Sequence, residues 1–167
     1  GPGYPDPLPG LMTGFDERLA AATPPGLADR GRYGSDREAY RAVAKDPELI
    51  IVSALFFSNQ QRVTGSSDND PPEAQVKVGD VMTVIDPVSG ETAEVRVAAI
   101  AAADVAFDGA LYGMEGTKAL IGGRVVPNRA YVKTKNTTFD TFAAGVGQQF
   151  LANGVEAQSI QELTDRI

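Results

Sequence analysis

The sequence predicts an α+β fold, and three observations carry that prediction. From Thr92 to Ile100, Val95 and Val97 alternate with Glu94 and Arg96, the two-residue period of a half-buried strand. Ser35 stands three residues before Glu38 and ahead of Ala39, Tyr40, Val43 and Ala44 at helical spacing, the pattern of a capped amphipathic helix. The last third of the chain reads as strand, helix and strand in succession, a βαβ unit.

In chain order, Pro2, Pro5, Pro7 and Pro9 make the first ten residues an extended lead-in that cannot be helical. Gly1-Pro2 is read as the scar of a cleaved tag and kept out of the fold argument. A short helix is expected from Gly14 through Phe15, Leu19 and Ala22, stopped by Thr23-Pro24-Pro25-Gly26 and followed by a Gly- and Arg-rich loop to Gly34. The helix capped by Ser35 should end at Asp46-Pro47, because a residue before proline disfavours helical backbone. Leu49 to Val52 then reads as a buried strand.

Gly65 to Pro72 is polar, closed by two prolines, and reads as a linker at a subdomain boundary. Beyond it, Val81 to Ile85, the turn Asp86-Pro87-Val88-Ser89-Gly90 and Thr92 to Ile100 form a β-hairpin. The Gly-spaced run from Gly109 to Gly123 holds a short helix over Glu115 to Ile121. A strand over Ala130 to Lys135, a helix over Thr138 to Leu151 halted at Asn153-Gly154, and a strand over Val155 to Ser159 follow. Phe139, Phe142, Ala143, Val146 and Phe150 share one face of that helix and read as core. Ser159 and Glu162 open a last helix with about two turns left before Ile167, which predicts that it continues into a following segment.

Composition narrows the chemistry. The 167 residues hold neither Cys nor His, which removes thiolate nucleophiles, imidazole bases, disulfides and metal sites built on nitrogen or sulfur. No cofactor-binding motif is present. The net charge of −7 and the absence of a basic block repel phosphate backbones, so nucleic acid is excluded as an expected partner. No apolar run in the chain reaches the ~20 residues of a membrane helix.

The remaining motifs each meet a plainer reading. Asp68-Asn69-Asp70 opens like a calcium loop, but Pro71-Pro72 stands where further ligands and the turn glycine belong. Gly109, Gly113, Gly116 and Thr117-Lys118 lack the order of a phosphate loop and read as turn glycines. Asp104, Asp108 and Glu115 are candidate acid–base carboxylates against a background of ordinary surface acids. No serine sits in a nucleophile motif, and no His is present as its base. Lys133, Lys135 and Tyr131 share a strand face and read as solvated. Phe56, Phe57 and Tyr112 are the candidate ligand or partner contacts, at a cleft between subdomains, with core packing as the alternative for the Leu55-Phe56-Phe57 cluster.

The stretches DREAYRAVAKDPELIIVS, VKVGDVMTVIDPVSGETAEVRVAAI and NRAYVKTKNTTFDTFAAGVGQQFLANGVEAQSIQELTDRI lie in an order that resembles the extracytoplasmic domain of FtsX-like and MacB-like ABC transporter permeases. The resemblance covers Ser35 to the C-terminus and rests on layout, with no invariant chemical motif. It implies a porter-like, ferredoxin-like βαβ subdomain built from residues 1–61 and 128–167, with a small β-rich subdomain inserted over 62–127. It also implies a non-enzymatic role outside the bacterial cell membrane, coupling ATP hydrolysis by a separate ABC ATPase to extrusion or release of lipid, lipoprotein, peptide or drug, or to activation of an extracytoplasmic protein partner. The alternatives are a free-standing secreted binding module using the inter-subdomain cleft, and a carboxylate-based hydrolase working through Asp104 and Asp108.

Overall fold

A computed structural model describes residues 11–54, 76–102 and 109–125, together with Thr141, Ala144 and Val146. The elements are β1 (Met12–Phe15), α1 (Glu17–Ala21), β2 (Leu27–Asp29), α2 (Asp36–Lys45), β3 (Leu49–Ser53), β4 (Val81–Ile85), β5 (Thr92–Ala101), β6 (Ala110–Gly113) and α3 (Met114–Ile121), closed by a 3₁₀ turn at Gly122–Arg124. Helices and a mixed sheet share one unit, in keeping with the α+β expectation.

Leu49-Ile50-Ile51-Val52 is continuously apolar, so its strand needs cover on both faces. The sheet supplies that position: β3 lies between β5 and β6 in the order β1-β6-β3-β5-β2, with β4 also paired to β5. β3 runs parallel to β5 and antiparallel to β6, while β1 is parallel to β6. Arg96 is the register partner of both Leu49 and Val81, and Ala101 of both Ser53 and Leu27. β4 and β2 therefore share one edge of the long strand β5, one at each end.

Side-chain alternation divides the core between the two sheet faces. Ile51, Ala99, Ala101 and Leu111 pack with Phe15, Ala20, Ala39, Tyr40 and Val43, so α1 and α2 cover that face. Ile50, Val52, Val95, Val97 and Tyr112 pack with Leu120 of α3 on the other. Full burial of side chains such as Ile50, Ile51 and Val52 stabilises the fold by about 1.5–3 kcal/mol each. The rings of Phe15 and Tyr40 meet edge-on, centroids 5.6 Å apart at 73°, the arrangement their quadrupoles favour.

Several sequence expectations hold in detail. The Ser35 hydroxyl accepts the Glu38 amide at 3.2 Å, and α2 buries Ala39, Tyr40, Val43 and Ala44. The Glu38 carboxylate reaches back one residue further than a reciprocal box requires, taking the Gly34 amide at 3.0 Å. The hairpin forms in the expected register, Ile85 opposite Thr92 and Val81 opposite Arg96.

Other expectations change. The first helix begins after Asp16, whose side chain accepts the Arg18 amide, and Phe15 ends a strand instead of starting the helix. Leu27–Asp29 is a short strand within the stretch read as loop. The strands found within 62–127 do not make a sheet of their own: β5 and β6 flank β3 directly. In that position β5 and β6 take the backbone bonds of β3, while the elements on the two sheet faces leave Ile50, Ile51 and Val52 exposed by 1% or less. The contact-defined units are Gly1–Val126 and Pro127–Ile167. In the second, Thr141, Ala144 and Val146 have helical backbone within the helix expected over Thr138 to Leu151. The remaining C-terminal expectations, the linker at Gly65 to Pro72 and the lead-in lie outside the described residues.

Candidate interaction surface

The hairpin of β4 and β5 is fastened at both ends. At the open end Gly79, at φ 97°, donates its amide to the Val97 carbonyl, and the Val97 amide donates to the Asp80 carbonyl, each at 2.8 Å. Two residues thus oppose one, a glycine bulge that ends the ladder and increases its twist. The Arg96 guanidinium also donates to the Gly79 carbonyl at 3.0 Å.

At the closed end Asp86 organises the turn. Its carboxylate accepts the Val88 and Ser89 amides at 3.1 Å each, the Ser89 hydroxyl, and the Arg124 guanidinium from the 3₁₀ turn. The Asp86 amide donates to the Glu91 carbonyl at 2.8 Å, and Gly90, at φ 77°, donates to the Asp86 carbonyl at 2.9 Å. The Asp86 side chain is only 3% exposed. The Ser89 hydroxyl holds this carboxyl well below the usual carboxylate range; burial opposes it, and Arg124 and the two amides add to it. An ionised carboxylate with this many donors is a structural staple joining the hairpin turn to the residues after α3.

Between these fastenings the outer face is mixed: Val81, Thr83 and Ile85 of β4 stand opposite Arg96, Glu94 and Thr92 of β5, all exposed. Four large apolar side chains are exposed among the described residues: Val81, Ile85 and Val88 of this hairpin, and Leu11. Val81 and Ile85 lie on the face of β4 opposite Met82 and Val84, which pack against the core of β3, β5 and α3.

The residues singled out from the sequence fall in different places. Tyr112 is in the core at 1% exposure, and its hydroxyl donates to the Pro47 carbonyl at 2.5 Å. Burial raises its phenol, and the Asp46 charge adds to that. It therefore presents no surface to a ligand, while Phe56 and Phe57 lie outside the described residues, as do Asp104 and Asp108. Glu115 is exposed on α3 and pairs with Lys118 at 3.4 Å, one turn along the same helix. Thr117 donates its hydroxyl to the Gly113 carbonyl at 3.0 Å.

Gly113 and Gly116 are needed for packing: a Cβ at 113 would strike the Val43 carbonyl of α2, and one at 116 would enter the Tyr112 ring. Neither glycine frames a phosphate. Among the described residues no three acidic side chains converge as a metal-ligand set, and no helix is long and apolar enough to cross a membrane.

Sequence reasoning found the hairpin but not its use of Asp86, because Arg124 stands 38 positions away. The signal present was local: Asp-Pro-x-Ser-Gly places a carboxylate two and three residues before amides it can accept. Searches of protein-family models, curated proteins and solved structures return no match for this chain.

Proposed function

We propose that this chain is the extracytoplasmic domain of a bacterial ABC permease of the FtsX-like or MacB-like kind, with a porter-like architecture, acting by contact and shape change and not by catalysis. The observation that carries the reading is the hairpin, whose buried carboxylate is wholly engaged in a structural staple while its outer side chains Val81, Ile85 and Val88 are apolar and exposed. Rigid elements displaying apolar side chains suit protein–protein contact. The layout of the three sequence stretches quoted above and the mixed sheet with helices on it support the same reading. In such a permease ATP is hydrolysed by a cytoplasmic ATPase connected through the membrane-embedded part, and this domain passes the resulting motion to a substrate or partner outside the membrane.

The sequence has no cysteine, which makes a direct test simple. Val88→Cys, 75% exposed at the hairpin turn, is introduced into the gene in its bacterial host and intact cells are treated with a membrane-impermeant maleimide. Labelling of the Val88→Cys peptide without permeabilisation is expected. Labelling that needs permeabilised cells places the domain in the cytoplasm and ends the proposal. An apolar segment of about 20 residues encoded soon after Ile167 is the accompanying expectation.

A further inference from the structure

The direction of the backbone groups along β4 follows from its pairing with β5. Val97 donates to the Asp80 carbonyl and Asp86 donates to the Glu91 carbonyl, with the register unbroken from Val81 opposite Arg96 to Ile85 opposite Thr92. Backbone groups alternate sides along an antiparallel strand. Asp80, Met82, Val84 and Asp86 therefore bond toward β5, and Val81, Thr83 and Ile85 aim their N–H and C=O groups away from it. Among the described residues no strand pairs with that side.

Natural sheets protect such an edge with charge, proline, bulges or brevity. The other outer strands do so: β2 has three residues and an irregular register, and β1 has four with Gly14 inside it. β4 is Val-Met-Thr-Val-Ile, without charge, glycine, proline or irregularity. It is also fixed at both ends, by the hydrogen bonds of the Gly79 bulge and by the Asp86 staple, so little order is lost when a second strand adds to it.

The strand is close to self-complementary about Thr83. Laid antiparallel against a second β4 with Thr83 facing Thr83 of the other copy, Val81 meets Ile85 and Met82 meets Val84, twice each. This is the register that uses all three outward residues of both strands, forming up to about six backbone hydrogen bonds. It pairs β-branched with β-branched and hydroxyl with hydroxyl, the cross-strand combinations that stabilise sheets. It also covers Val81 and Ile85, 55% and 43% exposed in the single chain. The symmetry is that of an isologous two-fold contact.

We infer that β4 is a self-association edge, where two copies of this chain join their sheets through antiparallel β4–β4 pairing centred on Thr83. A five-residue edge is smaller than a stable interface needs, and each copy carries a net charge of −7. The pairing is therefore weak for free chains, strengthens with salt, and becomes effective when two copies are held near each other. It is a property of the folded sheet and stands whether or not the chain belongs to a permease.

Sedimentation equilibrium of the 167-residue chain up to about 1 mM, at low and high salt, reads the association. A monomer–dimer equilibrium that tightens with salt is expected. Thr83→Pro removes one outward N–H without removing a bond to β5 and should weaken the dimer at least tenfold. Should proline disturb the hairpin by circular dichroism, an outer-face pair replaces it. Val81→Lys with Ile85→Lys sets like charges against each other and should give monomer, whereas Val81→Lys with Ile85→Glu sets opposite charges in contact and should restore the dimer. Val88→Ser, beyond the paired residues, should leave association unchanged. A wild-type chain that is monomeric throughout, a Thr83→Pro chain that associates normally, or loss of association in Val88→Ser instead would each overturn the inference. None of these outcomes bears on the labelling of intact cells, so the two proposals fail separately.

Discussion

Asp86 and Tyr112 give the residue scale its clearest pH signatures, of opposite sign. The folded-state value of Asp86 is depressed, first by the Ser89 hydroxyl, so its contribution is present above the ordinary carboxylate value of about 4 and is lost as pH falls below it. Asp86→Asn should lower the thermal midpoint by several degrees at pH 7, and the gap to wild type should narrow as pH drops below about 4. Scanning calorimetry across pH 2.5 to 7 would read it, and a gap independent of pH would show that the charge of Asp86 does not matter. Tyr112 has its folded value raised by burial, so its contribution is present below about pH 10 and lost as pH rises through and beyond that. Tyr112→Phe forfeits the hydrogen bond to the Pro47 carbonyl and should cost about 1 kcal/mol at pH 7. Urea unfolding should show that cost shrinking above pH 10; a constant cost would mean that the phenol ionises equally in both states.

At the scale of elements, α2 rests on its cap and β3 on its burial. Ser35→Ala removes the acceptor of the Glu38 amide and should cost about 1 kcal/mol, measured by denaturant midpoint, with Ser35→Gly losing only a few tenths. Ile51→Ala, at a site fully buried beneath α2, should cost about 2–5 kcal/mol. These two elements and the β4–β5 hairpin were legible because their determinants are local: a cap three residues from its partner, an unbroken apolar run, an alternation bracketed by Asp86 and Gly90. β1, β2 and β6 escaped because four, three and four residues are too few to display a period, and what makes them strands is the neighbour each finds in the sheet. Gly113 and Gly116 were recognisable as glycines with a purpose, yet the purpose lies in Val43 and Tyr112, and only Tyr112 is near in sequence. The interaction surface was half legible: Val81, Thr83 and Ile85 share one side of an alternating strand in the sequence, but the direction of their backbone groups depends on the bulge at Gly79.

The whole molecule divides into two contact-defined units. Contacts separate Gly1–Val126 from Pro127–Ile167, so a chain ending at Val126 should keep the sheet and unfold cooperatively. Far-ultraviolet circular dichroism and a single calorimetric transition would establish it, while a truncated chain without strand signal would show that the sheet needs residues beyond Val126. Among the described residues β1 pairs with β6 alone, Met12 lying beside Ala110 and Phe15 beside Gly113. Pairing between distant segments is slow, because a long loop must close before any contact rewards it. During synthesis the first strand therefore waits, unpaired, until nearly the entire described sheet has left the ribosome. A chain threaded across a membrane from its N-terminus would reach the far side before this sheet could close, and would fold there.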